Sequence, residues 1–159
     1  MSEAMAVAGL GRLELYGEPR DIGAARSHFQ RALELYEAIG NVVGQVKMHS
    51  LLGACALETG DLPQALICYQ RSWEMAADPI DSYYAAAGLL QCHRRQNQAE
   101  RFANVVDSLL TLLRRQQDST GGAGEIPAEC KQQLQAALTP CSGENGSESI
   151  CRLLALVQS

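Results

Sequence analysis

The fold of this chain is decided by residues 52–74, which read LGACALETGDLPQALICYQRSWE. Within it, Gly60 suits the left-handed position that ends a helix, and Asp61 is a good N-cap for the next one. Pro63 then falls in the first turn of that second helix, where proline is tolerated. The stretch therefore predicts a helical hairpin, with a helix A before Gly60 and a helix B after Asp61.

A similar pattern lies earlier in the chain and indicates an internal repeat. Residues 23–34 match the second helix of the hairpin at an offset of 40 residues. The matched residues are Ala25 and Ala65, Phe29 and Tyr69, Gln30-Arg31 and Gln70-Arg71, and Ala32 and Ser72. Leu10-Gly11 and Leu52-Gly53 match in the first helix at an offset of 42, so the first hairpin is predicted to have the longer turn, supplied by residues 16–21.

Small and aromatic residues have complementary roles in this repeat. Gly53 and Ala65 are predicted to let helix A and helix B approach closely, because neither carries a bulky side chain. Phe29 and Tyr69 are predicted to fill the wedge between neighbouring helices.

A third, degenerate unit is predicted to begin near Asp81. Here Ala87-Gly88 takes the Leu-Gly position, Ala99 is the small residue of helix B, and Ala103 replaces the aromatic residue. The turn at residues 95–98 lacks the Gly-Asp signal. Apolar residues continue at helical spacing in its second helix: Val105, Val106, Leu109, Leu110, Leu112 and Leu113.

The composition changes after this unit, which predicts three parts for the chain. Residues 4–115 form the helical hairpins, residues 116–128 a flexible polar loop, and residues 129–159 a C-terminal helical tail or cap. Within the tail, a short helix is predicted up to Leu138 and a loop over residues 139–147. A final helix has one apolar face that is expected to dock on the last hairpin or on a partner, formed by Ile150, Leu153, Leu154 and Val157.

These motifs resemble the tetratricopeptide repeat family. Residues 46–79 match its pattern best, although serine stands at position 72 where the family usually has alanine, and residues 4–40 match mainly in their second helix. The spacing of 40 residues is similar to the longer repeats of kinesin light chain and rapsyn-type adaptors. The resemblance implies an all-α fold: antiparallel helical hairpins stacked as a short right-handed solenoid, with C-terminal capping helices.

The resemblance also implies a protein-binding groove, because the first helices of such repeats line a concave surface. The implied partner-binding residues are Met5, Arg12, Lys47, Ser50, Ala54, Leu57, Ser82, Tyr83 and Leu89, and the same positions include Ala8, Leu15, Ala85 and Cys92. Only Arg12 and Lys47 are cationic, which disfavours the carboxylate clamp of chaperone-binding members. The lining suits a peptide or helix that has apolar and acidic residues.

Two alternatives stay open at this point. The groove residues pack against the chain's own tail in a structural subunit of a larger complex, whose contacts are then made by its end faces. The pair Tyr83-Tyr84 is either an interface anchor or divided between a packed tyrosine and a surface one.

Composition and charge exclude other classes of function. The net charge is −5, and no basic stretch exceeds the pairs Arg94-Arg95 and Arg114-Arg115, which disfavours nucleic acid binding. No apolar run approaches the roughly 20 residues that span a bilayer. Met1 to Ala8 lacks the features of a signal peptide, so we expect a cytoplasmic protein, with the nucleus as the alternative.

Side chains that carry chemistry are scattered. The three histidines fall in different predicted helices, and no pair has the spacing of metal ligands. Cys92 and His93 are adjacent, so their side chains point about 100° apart on a helix. We therefore expect no enzymatic activity, no cofactor and no metal site.

Overall fold

A computed structural model describes residues 2–120, 126, 128–138, 150–153 and 155. These residues are helical apart from short connections and contain no strand, so the predicted all-α class is confirmed. The helices are α1 (Glu3–Tyr16), α2 (Ile22–Ala38), α3 (Val42–Glu58), α4 (Leu62–Met75), α5 (Pro79–Arg95), α6 (Ala99–Thr120) and α7 (Ala128–Leu138), and residues 150–153 and 155 are also helical.

The chain forms two compact units, Met1–Ala77 and Asp78–Ser159, which are called unit 1 and unit 2 below. In unit 1, α1 packs on α2, α2 on α3, and α3 on α4. In unit 2, α5 packs on both α6 and α7. The stacking of the hairpins as a right-handed solenoid stays a prediction.

Three of the turns between helices have the same geometry. Each contains one residue with positive φ: Gly40 (67°), Gly60 (79°) and Asn97 (56°). In each, the amide of the following residue donates to a carbonyl five residues earlier, which satisfies the end of the preceding helix. These hydrogen bonds join Asn41 to Tyr36 (2.9 Å), Asp61 to Ala56 (2.8 Å) and Gln98 to His93 (2.9 Å).

The α5–α6 turn thus forms without the Gly-Asp signal. Asn97 takes the left-handed conformation, which asparagine adopts more readily than most other non-glycine residues.

Glycines in unit 1 allow the close helix contacts that the repeat predicts. A Cβ atom at Gly11 would lie 2.7 Å from Cε1 of Phe29, and one at Gly53 would lie 3.0 Å from the ring of Tyr69. The interpretation of Gly53 as a site of close approach is therefore confirmed. A third contact of this kind joins α2 to α3, because a Cβ atom at Gly44 would lie 2.3 Å from Cδ1 of Tyr36.

A buried serine, Ser72, stands in α4 where the first repeat has Ala32. The Ser72 hydroxyl donates to the Val46 carbonyl of α3 at 3.1 Å and lies 2.8 Å from the Ser50 hydroxyl. Its polar atom is therefore satisfied inside the hairpin.

The register predicted for the third unit is wrong. The amide of Phe102 donates to the carbonyl of Gln98, as that of Ala65 donates to Asp61, so Phe102 occupies the position assigned to a small residue. At this offset of 37 residues, Leu89-Leu90 corresponds to Leu52-Gly53 and Val106 corresponds to Tyr69. The positions predicted for the third unit are therefore not held by Ala87-Gly88, Ala99 or Ala103. Ala99 is instead the exposed first residue of α6.

The predicted loop at residues 116–128 is also too long. Helix α6 continues to Thr120, and the Tyr83 hydroxyl donates to the side chain of Gln116. The short helix of the tail is found as α7. Residues 121–125, 127 and 139–149 lie outside the described residues, as do Leu154 and Val157 of the predicted apolar face, whereas Ile150 and Leu153 are buried.

Candidate partner-binding surface

The structure divides the predicted partner-binding residues by exposure. Met5, Arg12 and Lys47 are exposed, and Ser50 and Ala54 are half-buried. The remaining four are buried in the chain: Leu57, Ser82, Tyr83 and Leu89. The same is true of Ala8, Leu15, Ala85 and Cys92, which share the predicted groove register.

Side chains this deeply buried offer a partner little surface, so these four are left out of the candidate surface, and their role in partner binding stays a prediction. In unit 2, the Ser82 hydroxyl donates to the Asp78 carbonyl at 3.3 Å, and the Tyr83 hydroxyl donates to the Gln116 side chain. Burial raises the pKa of Tyr83 to about 12. Tyr83 is thus a core residue, as one of the two alternatives held, and Tyr84 is half-buried.

The accessible residues lie on α1 and α3 of unit 1. Met5 and Arg12 are seven residues apart on α1, and Lys47 and Ala54 are seven apart on α3, so each pair shares one face of its helix. The exposed side chain of Tyr16 extends the α1 face, because it lies four residues beyond Arg12. These five residues are called the α1–α3 surface below.

Charged groups surround Tyr16 at one end of this surface. Desolvation raises the pKa of the Tyr16 phenol, and the nearby guanidinium groups of Arg12 and Arg20 oppose that rise. Arg20 donates from Nη2 to Oε2 of Glu58 at 3.1 Å and from Nε to the Leu15 carbonyl at 2.9 Å. The charge of Arg20 is therefore compensated by Glu58.

These contacts attach the α1–α2 connection to the end of α3. The two partners of the ion pair are each 47% exposed, so it contributes less than about 1 kcal/mol. Tyr16 was predicted to begin the turn at residues 16–21, although its helical spacing from Arg12 was visible, and it is the last residue of α1. No local pattern indicates the pairing of Arg20 with Glu58, which are 38 residues apart.

Helix α7 covers part of α5 in unit 2. Nη1 of Arg94 donates to the carbonyls of Ala136 and Ala137, both at 3.1 Å, and so caps the last turn of α7. The residues that α7 buries are Cys130, Leu134, Ala137 and Leu138. This part of the tail is therefore docked on the chain itself.

Burial shifts the pKa values of two thiols and one imidazole. Burial raises the pKa of Cys55 and of Cys92 to about 11, so both thiols stay protonated at neutral pH. Desolvation lowers the pKa of His93, whose Nδ1 lies 3.0 Å from Oε1 of Gln98. Among the described residues, no group of three or more His, Cys, Asp or Glu side chains is placed to hold a metal ion.

The architecture defines an all-α protein whose helices pack on their sequence neighbours within unit 1 and around α5 in unit 2. A comparison with models of known protein families and with curated protein sequences found no match for this chain. In the part of the chain that the structure describes, no helix combines the length and the apolar character needed to cross a membrane.

Proposed function

We propose that this protein is a protein-interaction module built from tetratricopeptide-like hairpins, and that a partner segment binds the α1–α3 surface of unit 1. The observation that carries the proposal is the accessibility of Met5, Arg12 and Lys47 at corresponding positions of two repeats. The recurrence of the glycine–aromatic contact in both hairpins supports the relationship to such repeats. Helical repeats of this kind use extended surfaces for binding.

The chemistry of the surface favours an apolar segment with acidic residues. Met5 is 55% exposed and Tyr16 is 67% exposed, so both offer apolar area that a partner would remove from water. Arg12 and Lys47 add positive charge in a chain whose net charge is −5. Carboxylates of the partner would pair with these two side chains and orient the segment.

A second candidate function is that of a structural subunit, whose groove is filled by its own tail and whose end faces make the contacts. The docking of α7 on α5 favours it, because α5 is the helix that carries the groove residues predicted for the third unit. The two candidates differ in whether the α1–α3 surface is used.

A pull-down from cell extract with quantitative mass spectrometry tests the proposal. The variant Arg12→Glu/Lys47→Glu reverses both charges of the surface, and Arg114→Glu/Arg115→Glu is the control because it makes the same charge change at exposed positions of α6. Circular dichroism establishes that both variants fold. We expect a partner that is retained by the wild type and the control and lost from the first variant.

Partners retained equally by all three proteins would contradict binding at the α1–α3 surface. That result would favour the structural subunit, with contacts made elsewhere on the chain.

A further inference from the structure

A second face of α1 is apolar and exposed, and it differs from the α1–α3 surface. Its residues are Ala6, Leu10 and Leu13, which are spaced by four and three residues and therefore lie on one side of the helix. Leu10 is 49% exposed and Leu13 is 69% exposed. These three residues are called the α1 outer face below.

The internal repeat identifies the same face on α3. At the offset of 42 residues that relates Gly11 to Gly53, the hairpin-facing positions are buried in both helices: Ala4 and Val46, Gly11 and Gly53, and Leu15 and Leu57. The α1 outer face corresponds at this offset to Met48, Leu52 and Cys55. Those residues are only 2%, 7% and 0% exposed. At all three positions of this face, α1 is exposed where α3 is buried.

In α3, this face is covered by α2, which runs antiparallel to α3 across the turn at Gly40. The Tyr36 ring lies over Gly44, and Nε2 of Gln45 donates to the Tyr36 carbonyl at 3.4 Å. At the other end of the contact, burial raises the pKa of the Cys55 thiol, and the nearby positive charge of Arg26 in α2 opposes that rise. The α2–α3 packing thus extends along the whole face.

From this correspondence we infer that the α1 outer face binds an amphipathic helix of a partner protein, which packs antiparallel on α1 as α2 packs on α3. The partner helix needs large apolar residues spaced by four and three positions, as Phe29, Leu33 and Tyr36 are in α2. Such a helix would bury Leu10 and Leu13, and it would continue the packing of unit 1 by one further layer.

Charge adds a requirement on the partner. Glu3 stands where α3 has Gln45, and a carboxylate cannot donate to a backbone carbonyl as that amide does. The C-terminal end of a helix carries partial negative charge, which Glu3 would repel. A lysine or arginine in the last turn of the partner helix removes this conflict by pairing with Glu3.

The probe for this inference is a labelled synthetic peptide with the sequence of residues 21–39 and the change Glu37→Lys. It carries the apolar spacing of α2 and a basic residue in its last turn. Fluorescence anisotropy measures its affinity for the full chain and for Leu10→Glu/Leu13→Glu. The matched control is Val42→Glu/Val43→Glu, because these valines are 51% and 56% exposed at a different place in unit 1.

We expect the peptide to bind the wild type and the control, and to bind Leu10→Glu/Leu13→Glu roughly tenfold or more weakly. The peptide with the unmodified Glu37 should bind the wild type more weakly than the lysine peptide, and Glu3→Lys should reverse that preference. Circular dichroism verifies that each variant is folded.

Two results would overturn the inference. One is the absence of peptide binding to the wild type. The other is equal binding to Leu10→Glu/Leu13→Glu, which would mean that the peptide displaces α2 or docks at another face. The inference is independent of the α1–α3 surface, so Arg12→Glu/Lys47→Glu should still bind the peptide even if the proposed function fails.

Discussion

The contact between Gly44 and Tyr36 gives the sharpest test of the packing in unit 1. The substitution Gly44→Ala adds a single methyl group at the point where α3 meets α2. Its carbon would lie 2.3 Å from Cδ1, 2.4 Å from Cγ and 2.6 Å from Cε1 of Tyr36. Because Cγ is next to the root of the side chain, the ring cannot avoid the methyl group by moving only its far end.

The expected magnitude follows from a comparison of Gly44→Ala with Gly9→Ala. In both variants, replacing glycine by alanine stabilises the helix itself by at most about 1 kcal/mol. A Cβ atom at Gly9 meets nothing within 4 Å, so this variant should be up to about 1 kcal/mol more stable than the wild type. Overpacking at Gly44 costs about 1–3 kcal/mol, so after the propensity gain of about 1 kcal/mol is subtracted, that variant should be up to about 2 kcal/mol less stable than the wild type.

Urea unfolding followed by tryptophan fluorescence measures this difference in unit 1. Trp73 is the single tryptophan of the chain and lies in α4, so its emission reports on this unit. Circular dichroism, recorded in parallel, reports on helices of both units.

A double-mutant cycle with Tyr36→Ala then assigns the cost to the ring. We expect a coupling free energy of about 1–3 kcal/mol, because the methyl group has nothing to collide with once the ring is removed. The reasoning would be refuted if Gly44→Ala stabilised unit 1 as much as Gly9→Ala does, or if the coupling were zero.

Two further predictions concern polar groups in the cores of the two units. Ser72→Ala should lower the free energy of unfolding of unit 1 by about 1 kcal/mol, as measured by urea unfolding, because it removes the hydrogen bonds to Val46 and Ser50. Adding Ser50→Ala to this variant should cost little more, because the bond between the two hydroxyls is already lost. A second loss of equal size would contradict the shared bond. In unit 2, desolvation lowers the pKa of His93 below its usual value of 6.5, so the unfolded chain takes up a proton at a higher pH than the folded chain does. The free energy of unfolding of unit 2 should therefore decrease as the pH is lowered through about 6.5. Hydrogen exchange in α5 at about pH 7.5 and about pH 5.5 measures this effect, which His93→Gln should reduce; an unchanged pH dependence in that variant would contradict it.

Much of unit 1 was predictable because its signals are local. Gly60 and Asp61 specify their turn through their own backbone preferences, and Pro63 marks the start of α4. The matches of Gly11 with Gly53 and of Phe29 with Tyr69 required only an internal comparison of the sequence. At these positions the structure shows close contact between a glycine and an aromatic ring in each hairpin.

Unit 2 was predicted less well because its register depends on contacts between distant residues. Asn97 forms the left-handed turn without glycine, so the pattern did not reveal where α6 begins its buried face. Phe102 then occupies a position where the other repeats have alanine. Similarly, the hydrogen bond of Tyr83 to Gln116 joins residues 33 positions apart, and no local pattern indicates it.

The amino-acid sequence by itself determined the helices of the chain, most of their ends and the hairpin pairing in unit 1, because turn preferences and apolar spacing act over a few residues. Only the tertiary structure decided which surfaces remain open. Leu52 is buried whereas Leu10, its equivalent in the repeat, is 49% exposed, because α2 covers the first and no described helix covers the second to the same extent. The exposure of a residue depends on the elements that pack over it, so Leu10 and Leu52 have different roles although they are identical residues at equivalent positions of the repeat.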